Sequence, residues 1–297
     1  MVRDIELKTP NGVCLLKESE VNVAIPGISR DYTFVQISDL HIAVSDESDS
    51  DAGKERAEKS EKFWRSQGCI VCNKGLADEY IMSPLEANNA VAQRIRQISP
   101  DMVFLTGDIV DYASLPNLLC ARQYIKDLSC EYIYVPGNHD MLNKNLPYKA
   151  KKVLSELLGK TPEFCACSLK DFDIISLDDS DVEISDRQLY RMQECVKSKR
   201  PIILLMHVPL LAPAAREPVF NKWGPNWMIG EEQQCSNNRA FLKLIENNRD
   251  IVRTVFAGHV HIATGDAENH ADGIVQYTAA PCFTGFLRVI KVSDKFE

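Results

Sequence analysis

Seven side chains of types that commonly bind metal ions lie at the ends of predicted strands in this 297-residue sequence. They are two aspartates, four histidines and one asparagine: Asp39, His41, Asp108, Asn138, His207, His259 and His261. Strand carboxyl ends gather at one edge of an open α/β sheet, so these side chains can meet although they are distant in sequence. Histidine is the commonest metal ligand, and aspartate is a common bridging ligand. The pattern therefore predicts a metal site.

The number of candidate ligands favours two metal ions over one. Seven ligands are too many for one tetrahedral zinc ion and too few for two closed sites unless one ligand is shared. A bridging aspartate between metals about 3.5–4 Å apart would leave open positions for solvent and substrate. Side chains two residues apart, as in Asp39 with His41 and His259 with His261, point to the same side of an extended chain. We therefore expect a dinuclear centre.

The charge of such a centre predicts its substrate class. Two divalent ions, two aspartates and a bridging hydroxide together carry a charge of about +1. A positive cluster suits an anion whose oxygens span both metals, so phosphate esters fit better than peptides or lactams. The whole chain has 34 basic and 42 acidic residues and a net charge of −8. This balance excludes broad coating of nucleic acid or of an anionic membrane surface.

The elements around these residues alternate between helix and strand from Ser83 onward. Ser83-Pro84-Leu85-Glu86 has the form of a capping box and predicts a helix to residue 98. Asn11-Gly12 predicts a tight β-hairpin near the start of the chain. Apolar runs predict strands at 32–37, 102–105, 132–135, 174–177, 202–206, 252–257, 274–278 and 286–292. Further helices are expected at 118–128, 148–158, from 185 onward and at 238–247.

Two segments interrupt this alternation. Residues 46–62 contain seven acidic and four basic residues and little to bury, which predicts an exposed, mobile insertion within the region near 43–80. Residues 208–236 contain four prolines and two tryptophans, which predicts a long loop. We expect Trp223 and Trp227 to pack this loop down, with stacking on a base or other flat group as the alternative.

The cysteine content suggests a reducing compartment, and the hydropathy suggests a protein without a membrane segment. Ten cysteines are too sparse for a disulfide scaffold, and the Cys69–Cys72 pair has no second CxxC to complete a zinc site. We therefore expect reduced thiols, with a four-cysteine zinc site or a redox role as lesser alternatives. The longest apolar stretch, 201–215, is too short and too interrupted to span a membrane. The sequence predicts a cytoplasmic protein with no membrane segment and leaves its oligomeric state open.

Taken together, the motifs resemble those of the calcineurin-like metallophosphoesterases. They occur in that family's order as Asp39-Leu40-His41, Gly107-Asp108, Gly137-Asn138-His139-Asp140, His207 and Gly258-His259-Val260-His261. Further details look closest to the class III cyclic-nucleotide phosphodiesterases: Ile37-Ser38-Asp39, Leu177-Asp178 and His207-Val208-Pro209. The resemblance implies an α/β fold, a four-layer αββα sandwich with two mixed sheets, formed by one domain over residues 1–297. It also implies two metal ions of iron, manganese or zinc.

The resemblance further implies a role for each motif residue. The first metal would be bound by Asp39, His41 and His261. The second metal would be bound by Asn138, His207 and His259. Asp108 would bridge the two, and His139 would face the substrate without binding a metal.

We therefore expect a metal-dependent phosphoesterase, most specifically a small-molecule phosphodiesterase that uses a metal-bridging hydroxide. Asn138 and His139 would bind the substrate, His139 would protonate the leaving oxygen, and Asp140 would orient His139. The alternatives are a nuclease of the same superfamily and an inactive binding scaffold. The acidic net charge disfavours the nuclease, and the complete motif set disfavours the scaffold.

Overall fold

Two facing β-sheets with helices on both outer faces form a four-layer αββα sandwich in the computed structural model of the chain. The structure describes residues 2–47, 49–73, 79–143, 145–159, 163–265 and 274–295. His270 lies outside these ranges. The fold is of the α/β class, and each sheet contains both parallel and antiparallel pairs of neighbouring strands. The predicted fold class is confirmed.

The described part of the chain contains thirteen strands and seven α-helices. The strands are β1 (Val2–Thr9), β2 (Gly12–Ala24), β3 (Tyr32–Ile37), β4 (Val71–Asn73), β5 (Glu79–Ile81), β6 (Met102–Thr106), β7 (Tyr132–Val135), β8 (Phe164–Ser168), β9 (Asp173–Leu177), β10 (Ile202–Leu205), β11 (Val252–Ala257), β12 (Gln276–Thr278) and β13 (Phe286–Ser293). The helices are α1 (Asp51–Ser66), α2 (Pro84–Ile98), α3 (Leu115–Asp127), α4 (Tyr148–Leu158), α5 (Asp186–Lys197), α6 (Pro213–Trp223) and α7 (Ser236–Glu246).

Parallel strands at one end of the first sheet and in the middle of the second set the position of the predicted ligands. The first sheet has the order β5-β4-β2-β13-β3-β6-β7, with β1 paired to β2, and its β3, β6 and β7 run parallel. The second sheet has the order β12-β11-β10-β9-β8, and β10 runs parallel to β11. The carboxyl ends of these five parallel strands are therefore the places where the loops carrying the ligands begin.

Apolar side chains fill the spaces between the layers. Phe34 and Phe104 of the first sheet pack with Ile203 and Phe256 of the second, which joins the sheets. Helices α2, α3 and α4 cover the other face of the first sheet, and α5 and α7 cover the second. The sheets are thus buried on both faces over most of their area, as expected of strands that read as continuous apolar runs.

Local signals placed most regular elements correctly. The hairpin at Asn11-Gly12 joins β1 to β2. Ser83 and Glu86 form the expected capping box at the start of α2, and Ser185 forms another with Gln188 at the start of α5. Helix α3 begins at residue 115, three residues before its predicted start. Strands β4, β5 and β8 were not predicted because each is short or contains polar residues, and β5 and β8 lie at the edges of their sheets.

The charged insertion is a helix, so the prediction of a mobile segment over 46–62 is wrong. Ser50 accepts a hydrogen bond from the Gly53 backbone and caps the start of α1. Three ion pairs spaced four residues apart stabilise the exposed face: Glu55–Lys59, Glu58–Lys62 and Glu61–Arg65. Ala57 is buried on the opposite face. The charges that suggested disorder are therefore the outer face of a helix.

The prediction of one long loop over 208–236 is also wrong. Residues Pro213–Trp223 form helix α6, with Pro213 in its first turn, where the missing N–H costs little. The proline content was read as helix-breaking, but this proline begins a helix.

The remaining predictions from composition concern the cysteines and membrane-spanning segments. All ten cysteines are free thiols. The groups of potential metal ligands found in the described ranges contain histidine and aspartate but no cysteine. Within those ranges no helix combines the length and the apolarity needed to cross a membrane. The cytoplasmic location stays a prediction.

Candidate metal centre

The loops that follow five strands bring the seven predicted ligands together. Asp39 and His41 follow β3, Asp108 follows β6, and Asn138 follows β7 of the first sheet. His207 follows β10, and His259 and His261 follow β11 of the second sheet. We call these seven side chains the ligand edge. The sequence prediction that they share one region is confirmed by the distances below.

The backbone of the ligand edge is in an uncommon conformation. Five of the seven residues have positive φ angles: Asp39, His41, Asp108, His259 and His261, with values from 46° to 68°. Positive φ is rare for residues other than glycine, although Asp, Asn and His adopt it more readily than most. Strained backbone of this kind clusters at functional sites because the surrounding structure must hold it in place. The hydrogen bonds from Asp39 N to Gly107 O and from His41 N to Asp108 O help to do so.

One cluster of ligating atoms lies between β3 and β11. His261 Nε2 is 3.3 Å from Asp39 Oδ1 and 3.1 Å from His41 Nε2. The ligating atoms of these three residues all lie within 4.8 Å of one another. His41 and Asp39 are fully buried, so both have lost their hydration and need partners inside the protein.

A second cluster lies between β6, β7 and the second sheet. Asn138 Oδ1 is 3.0 Å from both His207 Nε2 and His259 Nδ1. The ligating atoms of Asp108, His207 and His259 all lie within 4.8 Å of one another. Asp108 stands between the clusters, since its Oδ2 is 3.4 Å from His207 Nε2 and 4.0 Å from His41 Nε2.

Backbone groups orient the second cluster. His207 Nδ1 lies 2.8 Å from the carbonyl oxygen of Thr106, which can only accept, so Nδ1 carries the proton and Nε2 faces the cluster. The buried carboxylate of Asp179 accepts hydrogen bonds from His207 N and Val208 N and fixes this loop. Residue Gly107 is required here because a Cβ would collide with the His207 ring, and its φ is +91°.

Asp108 and His207 of the ligand edge stabilise each other in their charged forms. Burial raises the pKa of Asp108, but His207 and other histidines outweigh burial and hold that pKa well below its usual range. Burial lowers the pKa of His207, but Asp108 and Asp39 raise it to about 10. His259 shows the opposite balance, because burial and the charge of His207 lower its pKa to about 3. The charges within the ligand edge therefore shift the pKa values of its own members in opposite directions.

The donor set fits transition metals. Four imidazoles, two carboxylates and one amide oxygen supply the nitrogen and oxygen ligands that suit zinc, iron and manganese. His41 Nδ1 is buried 3.4 Å from Asp111 Oδ1, whereas Nε2 of the same ring faces another imidazole nitrogen. Buried polar atoms of native proteins normally have partners, and ions bound between the converging nitrogens and oxygens would supply them. The identity of the metals is not determined by these ligands.

His139 lies beside the clusters, with its ring centre 4.6 Å from that of His41 and one ring nitrogen within 4.8 Å of ligating atoms of His41 and Asp111. Its backbone N donates to Asp108 Oδ1 at 2.8 Å, and its ring Nδ1 donates to the Asp111 carbonyl oxygen at 2.8 Å. The side chain keeps 27% of its surface exposed, so it can reach a bound molecule. Burial lowers the pKa of His139, but Asp111 and Asp108 outweigh it and raise the value to about 9.

Asp111, and not Asp140, contacts the His139 ring. Asp111 Oδ1 lies 3.3 Å from His139 Nδ1. The Asp140 carboxylate instead accepts hydrogen bonds from Val110 N and Gly137 N, at 3.0 and 2.8 Å. The expected orienting role of Asp140 is therefore wrong: adjacent residues point in different directions, and Asp140 stabilises the backbone of the two loops. Burial and the charge of Asp108 raise the pKa of Asp140 to about 7.

Sequence reasoning also missed Trp64 of helix α1. Its ring stacks on His41, with centroids 3.8 Å apart and planes inclined by 20°. Its Nε1 donates to Asp111 Oδ1 at 2.7 Å. Asp111 could have been noticed because it lies in the loop that begins at Asp108. Trp64 gave no periodic signal, since it and the adjacent Phe63 are the aromatic residues of an otherwise charged segment.

Two further tryptophans lie over the other side of the ligand edge. Trp223 stacks on Trp227 with centroids 4.9 Å apart, and Trp227 lies 5.1 Å from His259. Trp223 Nε1 donates to Val260 O at 2.7 Å. These contacts agree with the expected packing role. Together with Trp64 they place all three tryptophans of the chain around the centre, and we call the three the aromatic cover.

Comparison with known proteins relates the chain to phosphoesterases. The family model for calcineurin-like phosphoesterases matches residues 32–263, which include the whole ligand edge. A probable cyclic nucleotide phosphodiesterase of Synechococcus is 26% identical over 59% of this chain and 63% of its own length. The glycerophosphodiester phosphodiesterase GpdQ of Enterobacter lignolyticus is 27% identical over 69% of this chain and 70% of its length. The alignment thus spans less than two thirds of the first of these relatives.

A solved structure shares the fold. A dimetal phosphatase from Danio rerio superposes with a TM-score of 0.54 at 15% identity, covering 85% of this chain and 88% of its own. At that identity the likeness concerns the arrangement of sheets and helices.

Proposed function

This chain belongs to the calcineurin-like phosphoesterase family, and we propose that it is a dinuclear-metal-dependent hydrolase of small phosphodiesters. The observation that carries the proposal is the position of Asp108. Its carboxylate lies between two clusters of ligating atoms, 3.4 Å from His207 and 4.0 Å from His41. A carboxylate with ligand clusters on both sides is what two ions with a shared ligand require.

We assign the ligands by these clusters. The first ion would be held by Asp39, His41 and His261, whose ligating atoms lie within 4.8 Å of one another. The second would be held by Asn138, His207 and His259, where Asn138 Oδ1 lies 3.0 Å from each histidine. Asp108 would bind both. Such ions supply Lewis acidity and an activated water for attack on phosphorus.

His139 is the proposed proton donor to the leaving oxygen. It lies beside Asp108 through its backbone N–H and keeps part of its ring exposed. The Asp111 carbonyl fixes the proton on Nδ1 and so sets the orientation of the ring. Asn138 would hold a phosphoryl oxygen with its amide, since its side chain already faces the clusters. These residues bind and orient the ester and move one proton to the departing oxygen.

A small diester is the substrate class favoured by the surroundings. Named relatives of this chain are phosphodiesterases, one probable for cyclic nucleotides and one for glycerophosphodiesters. The aromatic cover places large rings against the ligand histidines, which suits a compact ester carrying an organic group on each side of phosphorus. The choice between a cyclic nucleotide and another diester is left to experiment.

The two alternatives have less support. A nuclease needs a surface that attracts the nucleic acid backbone, and this chain has a net charge of −8. A scaffold that had lost catalysis would be expected to lack a ligand or His139, and all eight residues are present and close together.

A substrate panel tests the proposal. The full chain is stripped of metal, reloaded with manganese and given bis(p-nitrophenyl) phosphate, p-nitrophenyl phosphate, cyclic nucleotides and DNA. We expect metal-dependent turnover of diesters at least about tenfold above that of the monoester, with little cleavage of DNA. Faster cleavage of DNA than of any small diester would favour the nuclease, and no turnover with any metal would favour the scaffold.

A further inference from the structure

We propose that Trp64 is a positioning residue for protonation of the leaving group, because its indole N–H holds the Asp111 carboxylate that adjoins His139. The inference rests on the proposed function, in which His139 delivers that proton. It assigns a chemical role to helix α1, the segment whose sequence suggested only a charged insertion.

The first observation is the set of donors around one carboxylate. Asp111 Oδ1 lies 2.7 Å from Trp64 Nε1, 3.3 Å from His139 Nδ1 and 3.4 Å from His41 Nδ1. The contact with Trp64 is the shortest and is a hydrogen bond from a neutral donor to a charged acceptor, which is stronger than one between neutral groups. Trp64 therefore makes the closest contact to this oxygen, and Ser60 of the same helix also hydrogen-bonds to the Asp111 carboxylate.

The second observation is how the Trp64 ring itself is fixed. It stacks on His41 at 3.8 Å and lies 5.6 Å from the ring of Phe283. An indole held on its faces has little freedom to rotate, so its N–H direction is set before a substrate arrives. Such preorganisation is what makes an outer partner effective in holding a catalytic group.

The third observation is the attachment of α1 to the loop that carries Asp111. The Arg56 guanidinium lies 3.7 Å from the centre of the Tyr112 ring, and Tyr112 directly follows Asp111. At the other end of the helix, Cys69 Sγ donates to the Trp64 carbonyl at 3.6 Å. Contacts on both sides of Trp64 thus hold helix α1 in place, so a displacement of this helix would also displace Asp111.

The consequence for the reaction depends on the leaving group. Loss of the indole N–H removes the shortest contact of the Asp111 carboxylate and weakens its 3.3 Å contact with His139 Nδ1, although the Asp111 carbonyl still holds that nitrogen. An alkoxide leaves poorly without a proton, whereas p-nitrophenolate leaves readily without one. The loss of kcat should therefore grow as the leaving group becomes more basic, while KM and metal content stay near their original values.

The kinetic test compares Trp64→Phe with Trp223→Phe in manganese-loaded full chain. Each exchange keeps a ring and removes one indole N–H, but Trp223 donates to the backbone oxygen of Val260 and not to Asp111. The substrates are aryl and alkyl phosphodiesters whose leaving groups span a range of basicity. For Trp64→Phe we expect kcat to fall about 10- to 100-fold with the alkyl ester and less than about threefold with p-nitrophenyl.

The control variant and a second test variant distinguish a positioning role of Trp64 from a purely structural one. Trp223→Phe should change kcat by one factor across the whole series, and Asp111→Asn should reproduce the graded loss. An equal loss across the series in Trp64→Phe would show a merely structural role and overturn the inference. A wild-type chain that hydrolyses no diester would instead overturn the proposed function.

A measurement on the metal-free protein tests the contact without catalysis. In a ¹H–¹⁵N spectrum we expect the indole signal that disappears in Trp64→Phe to exchange slowly with solvent and to shift in Asp111→Asn. The signal that disappears in Trp223→Phe should not shift in Asp111→Asn. A fast-exchanging Trp64 indole that is insensitive to Asp111→Asn would overturn the inference even in an active enzyme.

Discussion

The ligand edge and the aromatic cover surround the same space but are built in opposite ways. The ligand edge follows the carboxyl ends of five parallel strands, and five of its seven residues have positive φ angles. The aromatic cover comes from helix α1 and from the end of α6 and the loop after it, outside the two sheets. Positions that would bind a metal follow the most rigid part of the fold, and the rings around them are carried on added segments. Mutation should therefore separate the effects of the ligand edge from those of Trp223 and Trp227, whereas Trp64 contacts Asp111 and should act on the rate.

The largest effect should come from the ligand edge. Asp108→Asn removes the charge shared by both clusters, so we expect metal content to fall at both positions. Activity with bis(p-nitrophenyl) phosphate should drop more than about 100-fold, beyond the loss typical of an outer partner. Elemental analysis of the purified variant and its turnover measure the two effects. Asp101→Asn, far from the centre, is the matched control, and unchanged metal content in Asp108→Asn would refute the bridge.

His139→Ala should separate catalysis from metal binding. General acid assistance is typically worth about 10²–10⁴-fold, and we expect a loss of kcat in that range. Metal content should stay near that of the original chain, since His139 is not among the assigned ligands. Paired kinetic and elemental measurements check this. If the metals are lost to the same extent as activity, the proposed role of His139 is incorrect.

Trp227 of the aromatic cover should govern affinity more than rate. Trp227 lies 5.1 Å from His259 and stacks near Trp223. Trp227→Ala removes a ring worth about 0.5–1.5 kcal/mol in aromatic contacts, so we expect KM for an aryl diester to rise about two- to tenfold. Metal content should be unchanged. A fall in kcat with a constant KM would show that Trp227 acts on the rate, as the ligand edge does, and would contradict its expected role in affinity.

The smallest effect on activity should come from a site remote from both regions. The buried Glu18 carboxylate accepts hydrogen bonds from Arg94 and Arg3, at 2.7 and 2.6 Å. Glu18→Gln should lower the free energy of unfolding by about 2 kcal/mol. Turnover per folded molecule should not change. Glu6→Gln, at an exposed position of β1, is the control and should cost about 0.5 kcal/mol or less in a denaturant titration.

The same site predicts a pH dependence of stability. Burial raises the pKa of Glu18, but Arg94 and Arg3 outweigh burial and hold it below the ordinary 4.5. The folded chain then binds fewer protons at this carboxylate than the unfolded chain does in acid. The stabilisation is therefore complete above about pH 4.5 and is lost as the pH falls toward the folded pKa. Equal acid sensitivity of the original chain and Glu18→Gln would contradict this.

The ligand edge could be predicted from sequence because its signals are regular. Short apolar runs mark β3, β6, β7, β10 and β11, and each is followed within a few residues by Asp, Asn or His. Parallel strands bring such positions together whatever their separation along the chain. Predicting the partners of His139 needed more than this. Asp140 is adjacent in sequence, but the ring of His139 turns toward Asp111.

The aromatic cover could not be predicted in the same way. Helix α1 has one buried residue, Ala57, and its stability depends on charge pairs along its outer face. Such a helix lacks the apolar stripe that usually reveals one. Helix α6 contains prolines, which argue against a helix unless the first is recognised as its start. The contact of Trp64 with Asp111 is a tertiary pairing of single residues and leaves no periodic trace.

The central claim, that the ligand edge holds two metal ions with Asp108 between them, is tested most directly by anomalous diffraction. Crystals of the manganese-loaded chain are measured at the manganese absorption edge. We expect two peaks about 3.5–4 Å apart. One should lie beside Asp39, His41 and His261, and the other beside Asn138, His207 and His259. A single peak, or peaks away from these side chains, would contradict it.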